Sequence, residues 1–125
     1  MTTRILRDAL GIIVPAETEP LRQVVIDMFD LVKPFYSRQT AAYTTTGAAA
    51  LEIVEVDSSG SVTVSLHKSP KDGQQVIVKR MGSGAVSVDT EGSETIDGAA
   101  SKSISSQYDA LRVVYLDASG EYLVI

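Results

Sequence analysis

Leu51-Glu52-Ile53-Val54-Glu55-Val56-Asp57-Ser58-Ser59-Gly60-Ser61-Val62-Thr63-Val64-Ser65-Leu66 sets the fold class. Leu51 and Ile53, with Glu55, fall on one side of an extended chain, and Val54 and Val56 fall on the other. Then come four turn formers ending in Gly60, which tolerates a positive φ. After them Val62, Val64 and Leu66 alternate with Thr63 and Ser65. Alternation at period two in β-branched residues marks strands, and the Asp-Ser-Ser-Gly cluster marks the change of direction between them.

The same grammar runs downstream. Val76 and Val78 alternate with Ile77 and Lys79, and Val86 and Val88 make a short strand. Leu111, Val113 and Tyr115 alternate with Arg112 and Val114, and Tyr122 and Val124 with Leu123 and Ile125. Turn formers separate these strands at Ser69-Pro70-Lys71-Asp72-Gly73, Gly82-Ser83-Gly84, Asp97-Gly98 and Asp117-Ala118-Ser119-Gly120. Short strands at close spacing predict a mainly β fold: a small antiparallel β-sandwich, barrel or prism. The segments 54–62 and 114–122 echo one another as strand, Asp-x-Ser-Gly turn, strand. They read as one hairpin type used twice, and nothing similar between them suggests a repeat architecture.

Upstream, the pattern changes to helical. Leu21, Val24, Val25, Met28, Leu31 and Val32 form one stripe, with Pro20 at the first helical position, Thr18 or Glu19 as cap, and Pro34 as terminator. Ile5, Leu6, Ala9 and Leu10 repeat at helical spacing and lead through Gly11 into an extended run, Ile12, Ile13, Val14 and Pro15. These features predict an N-terminal helical arm. Residues 37–50 read as a linker of small residues and threonines. The chain therefore divides into residues 1–46, an anchoring arm with an amphipathic helix, and residues 47–125, a β-module. Ile5, Leu6, Leu10, Ile12, Ile13, Val14, Leu21, Val25 and Met28 are the expected docking residues of the arm.

The chain has 125 residues and a formal charge of −5. Residues 1–39 are neutral, so the negative charge belongs to the β-part. An acidic chain without a basic, aromatic-interleaved patch argues against nucleic-acid binding. No stretch approaches the ~20 apolar residues of a membrane span. With no cysteine and one histidine, thiol catalysis, disulfides and histidine clusters are excluded. The β-part is rich in Ala, Ser, Thr and Gly, which bury little area, so its core is thin and self-association is the expected support.

Catalytic chemistry finds little purchase. His67 reads as a lone surface histidine at a strand end, with no nucleophile elbow nearby. Asp89, Glu91, Glu94 and Asp97 sit in a Gly/Ser/Thr loop. A glycosidase would need two carboxylates at a fixed separation across a sugar, one of them in an apolar pocket. Calcium-loop spacing is missing there too. The Lys79-Arg80-Met81-Gly82-Ser83-Gly84 run lacks P-loop order, and its cations are expected to meet acidic side chains on a neighbouring strand or subunit. The expectation is no enzyme, no cofactor and no metal.

An ordered set of turns covers residues 60–125: Ser69-Pro70-x-Asp72-Gly73 with Val76, Val78 and Lys79; Val86 and Val88; Thr95-Ile96-Asp97-Gly98; Ser103-Ile104; Tyr108; Leu111 to Asp117; and Gly120-x-Tyr122-x-Val124. It resembles the small β-module that recurs in bacteriophage tail fibres, tailspikes and head fibres. Tyr122 stands where that family carries tryptophan, and Asp117-Ala118-Ser119-Gly120 lengthens its final turn. The resemblance carries no catalytic residues. It implies a virion structural protein, assembled in the host cytoplasm: a short fibre, adaptor or capsid decoration. It would form a homotrimer through its β-module and dock by its N-terminal segment on capsid, portal or tail proteins. The alternative it implies is a receptor module for a host surface glycan, with Tyr108, Tyr115 or Tyr122 as sugar-stacking platforms. A capsule-degrading hydrolase using the carboxylates at 89–97 is the remaining, weakest alternative.

Overall fold

A computed structural model describes residues 33–125 and places ten strands in them: β1 (Phe35–Gln39), β2 (Tyr43–Thr44), β3 (Leu51–Val56), β4 (Val62–Leu66), β5 (Gln75–Arg80), β6 (Val86–Thr90), β7 (Thr95–Ile96), β8 (Ser101–Ile104), β9 (Ala110–Leu116) and β10 (Glu121–Val124). The chain crosses repeatedly between two sheets. One has the order β1-β3-β5-β9-β10-β7 and the other β2-β4-β6-β8. The result is mainly β, a short β-solenoid of about three turns, with no helix among the described residues. The expected N-terminal helical arm lies outside them.

The coils β1–β2, β3–β4 and β5–β6 stack in parallel. Leu51 to Val56 lie opposite Gln75 to Arg80, and Val62 to Leu66 opposite Val86 to Thr90, each pair 24 residues apart. The two coils share Ile53/Ile77, Val54/Val78, Ser59/Ser83, Gly60/Gly84, Val62/Val86 and Val64/Val88 at that offset. This corrects the antiparallel expectation. Period-two alternation says which side chains share a face, but it is silent on strand direction. The Asp57–Gly60 turn is therefore no hairpin. It is a corner that carries the chain from one sheet to the other, while the similar Asp117–Gly120 turn does close a hairpin between β9 and β10.

Antiparallel pairing is confined to the C-terminal end. There β9 runs against β5, β10 against β9, and β8 against β6. These strands close the stack. Its outermost strands, the two-residue β7 and the polar β8, offer poor templates for further pairing.

The interior is a set of valine ladders. Val54 and Val78 stack in one sheet, and Val62 and Val86, and Val64 and Val88, stack in the other; all are buried. Ile96, Ile104, Val113, Tyr115 and Tyr122 fill the capped end. Each buried valine contributes about 1.5 kcal/mol or more, so a column of small side chains suffices where every rung has neighbours above and below.

Residues 37–50 are not a linker. The end of β1, β2 and the buried Thr45 belong to the first coil, within the compact unit Pro34–Ile125. Their strand character is hard to read because polar side chains occupy inward positions there. Close stacking also dictates glycine at the corners. A Cβ on Gly84 would lie 2.0 Å from the Gly60 carbonyl oxygen, and one on Gly82 2.3 Å from that of Ser58.

Candidate functional site

Register assigns the outward residues of the six-stranded sheet to three columns. Tyr36, Ile53, Ile77 and Arg112 form the central one. Leu51, Gln75, Val114 and Leu123 lie along one side of it. Arg38, Glu55, Lys79 and Ala110 lie along the other. The outer surface of the four-stranded sheet is different in kind. Its columns are Thr63, Ser87 and Ser103, and Thr44, Ser65, Asp89 and Ser101. Thus one exterior carries Leu51, Ile53, Ile77, Val114 and Leu123 interrupted by Gln75 and Arg112, and the other is hydroxylic apart from Asp89.

Charge on this exterior lies in the column of Arg38, Glu55 and Lys79 and at Arg112 in the central one. The Tyr36 hydroxyl donates to the Glu55 carboxylate, which raises the pKa of the phenol above its ordinary value. Arg38 lies 3.8 Å from Glu55 and also pairs with Asp57. Arg112 donates from Nε and Nη2 to Gln75 Oε1 at 3.0 and 2.6 Å. Lys79 lies opposite Glu55 in register and donates to the Tyr108 carbonyl.

Buried polar side chains serve the fold's own backbone. Glu52, 1% exposed, accepts from the Tyr43 hydroxyl at 2.8 Å and from the Thr46 amide and hydroxyl at 2.9 and 3.1 Å. Burial, then the bond to Glu52, pushes up the Tyr43 pKa. Gln74 donates to the Gly47 and Ala49 carbonyls and accepts from the Lys71 amide. Arg80 donates to the carbonyls of Ser83 at 2.6 Å, Ile104 at 3.0 Å and Gly82 at 3.3 Å. It therefore does not meet an acidic side chain, as its position beside Lys79 suggested. His67 is no solitary surface residue either. It is half-buried between Thr45 and Gln74, at 2.6 and 2.9 Å.

The docking residues expected in the arm, Ile5 through Met28, lie outside the described residues. Of the three tyrosines expected to stack on sugars, Tyr108 is 60% exposed, on a loop backbone with φ of 70°. Tyr115 and Tyr122 are core residues in edge-to-face contact at 5.3 Å, so neither presents a ring face to solvent. The four carboxylates from 89 to 97 are dispersed over strand, loop and hairpin. Glu91 accepts from the Thr44 hydroxyl, and Asp97 accepts from the Val124 amide. No group of three His, Cys, Asp or Glu side chains suited to a metal ion occurs among the described residues.

The outward pairing of Ile53 with Ile77 is what strand-by-strand inspection misses. Aligning the chain with itself at 24 residues would have revealed it. Set against known proteins, the chain matches no family model and no curated protein.

Proposed function

We propose that the chain is a non-enzymatic structural protein of a bacteriophage virion, a short fibre, adaptor or capsid decoration. It docks by its N-terminal segment and trimerises through its β-module. The observation that carries the assembly half of this reading is the outward stacking of Ile53 on Ile77 in the six-stranded sheet, with Leu51, Val114 and Leu123 alongside. Outward aliphatic side chains grouped on one sheet suit an interaction surface. The engagement of Glu52, Gln74 and Arg80 with backbone and neighbouring side chains suits a part whose work is mechanical. The virion class rests on the turn sequence from Ser69 to Val124.

The test is immunogold labelling of particles produced from the encoding genome, with antibody against residues 34–125. Label at a discrete place on the particle is expected; unlabelled particles overturn the reading. Particles assembled with a chain lacking residues 1–19 are expected to lose the label.

Glycan recognition is the second reading, and Tyr108 favours it. A large, exposed ring on a left-handed loop backbone is an unusual arrangement for a non-glycine residue. A glycan array probed with the wild type and with Tyr108→Ala separates it, since binding that survives the substitution removes Tyr108 from the role.

A further inference from the structure

We propose that the loop from Ser105 to Asp109 is a preformed binding loop for an uncharged sugar, with the Tyr108 ring as its stacking face. The inference rests on the glycan reading above and names the class of sugar and the residues that select it.

The loop is clamped to the strand beneath it. The Tyr108 amide donates to the Arg80 carbonyl at 2.7 Å, and the Arg80 amide donates to the Asp109 carbonyl at 2.9 Å. The Asp109 amide closes the turn on the Ser106 carbonyl at 3.2 Å. Two side chains complete the clamp. Gln107 Nε2 donates to the Met81 carbonyl at 2.9 Å, and the Lys79 ammonium donates to the Tyr108 carbonyl. Lys79 and Arg80 end β5, whose Val76 and Val78 are core residues, so the loop is fixed to the stack itself. Within this clamp Tyr108 keeps a φ of 70°, an unfavourable backbone conformation for a bulky residue, while its ring stays 60% exposed. The surrounding bonds hold the ring on display against that preference. A ring fixed before binding loses little further freedom when a ligand covers it.

The surroundings of the ring suit a sugar better than a protein partner. Ser105, Ser106, Gln107 and Asp109 are all exposed. They supply hydroxyls, an amide oxygen and a carboxylate. A protein-binding hot spot needs an apolar surround that shuts out water, and this loop has none. One aromatic face with polar groups beside it fits a ligand that is apolar on one face and hydroxylated at its edge, as a pyranose ring is.

Charge sets the class of sugar. The two cations that end β5 are committed elsewhere: Lys79 to the Tyr108 carbonyl, and Arg80 to the carbonyls of Gly82, Ser83 and Ile104. The charge within the loop is that of Asp109, on a chain of net charge −5. A uronic or sialic acid would meet like charge there. A neutral hexose or N-acetylhexosamine meets only hydrogen-bonding groups.

A glycan array carrying neutral and acidic sugars, probed with the full chain and its variants, tests the inference alongside urea unfolding of the same proteins. Neutral glycans are expected to bind and acidic ones to fail. Tyr108→Phe should keep the binding, and Tyr108→Ala should weaken it about tenfold. Tyr108→Gly should lose binding yet unfold at higher urea, because glycine accepts the left-handed backbone without strain. A tyrosine with a purely structural role would not give that opposed pair of changes. Selective binding of acidic glycans overturns the sugar class and leaves glycan recognition standing. Binding unchanged in Tyr108→Ala overturns this loop and places recognition elsewhere on the chain. A lower urea midpoint in Tyr108→Gly overturns the strained display of the ring. An array with no bound glycan overturns both the loop and the glycan reading.

Discussion

The Thr45 hydroxyl sits 2.6 Å from His67 Nδ1 while accepting the His67 backbone amide at 2.9 Å, so one threonine side chain joins two successive coils. Its neighbours determine the direction of each bond. Gln74 Nε2 donates to the Gly47 and Ala49 carbonyls, and its Oε1 accepts from the Lys71 amide. That oxygen must then receive a proton from His67 Nε2 at 2.9 Å, leaving Nδ1 to accept from Thr45. In the neutral imidazole these bonds select the Nε2–H tautomer. Long-range nitrogen–proton NMR of the imidazole reads it directly, and an Nδ1–H signal would show the network to be wired otherwise. Thr45→Val should cost about 1–3 kcal/mol in urea unfolding, because it strands a backbone amide and a ring nitrogen. Thr44→Val, which alters only an exposed 3.3 Å contact to Glu91, should change little.

The corner glycines make a paired prediction. Gly84 and Gly60 occupy equivalent places in successive coils, yet their surroundings are opposite. A Cβ on Gly84 would strike the Gly60 backbone at 2.0 Å, whereas one on Gly60 would meet nothing within 4 Å. Gly84→Ala should therefore destabilise by about 2–3 kcal/mol, the scale of forced overpacking. Gly60→Ala should be close to neutral. Equal urea midpoints for the two variants would contradict the stacking of these corners.

This pairing also explains what could be read from the chain alone. Val54, Val64, Val78 and Val88 each declare an inward position through alternation, and β3, β4, β5, β6, β9 and β10 all fall where that pattern places them. Pairing partners are another matter. Val54 has the same local sequence whether it lies beside Val64 in a hairpin or beside Val78 in a stack. Only comparison of residues 51–66 with 75–90 separates the two. The first coil is obscured for a chemical reason. At Ser37 and Thr45 its inward positions carry hydroxyls, and Ser37 lies opposite the hydrocarbon of Val54. The outward pairing of Ile53 with Ile77 needed the register.

Arg80 gives a prediction about charge in the interior. Its guanidinium spans three carbonyls at the junction between coil and cap. Arg80→Met should cost about 3 kcal/mol, since it leaves buried acceptors without a donor. Arg80→Lys should recover only part of that loss, because a single ammonium cannot reproduce a planar fork of donors. Urea unfolding of the three proteins tests the order wild type, lysine, methionine; full recovery in the lysine variant would mean the fork geometry is immaterial.

Tyr122 predicts the behaviour of the chain in alkali. Its ring is buried and its hydroxyl has no hydrogen-bond partner, and burial with the nearby Glu94 carboxylate pushes its pKa far above the ordinary tyrosine value. The folded state thus holds this proton more tightly than the unfolded state. Its contribution to stability is complete below pH 10 and falls as pH rises beyond it, by about 1.4 kcal/mol per pH unit while the folded phenol stays neutral. Tyr43 and Tyr115 are shifted in the same direction, chiefly by burial, and add to the decline. Tyr122→Phe removes both the titration and an unpaired buried hydroxyl. At neutral pH it should raise stability by about 1 kcal/mol, since burying such a group without a partner is unfavourable. Above pH 10 its urea midpoint should fall less steeply than that of the wild type. Parallel alkaline slopes would show that the Tyr122 phenol does not govern unfolding, and a large loss at neutral pH would show that its hydroxyl is partnered after all.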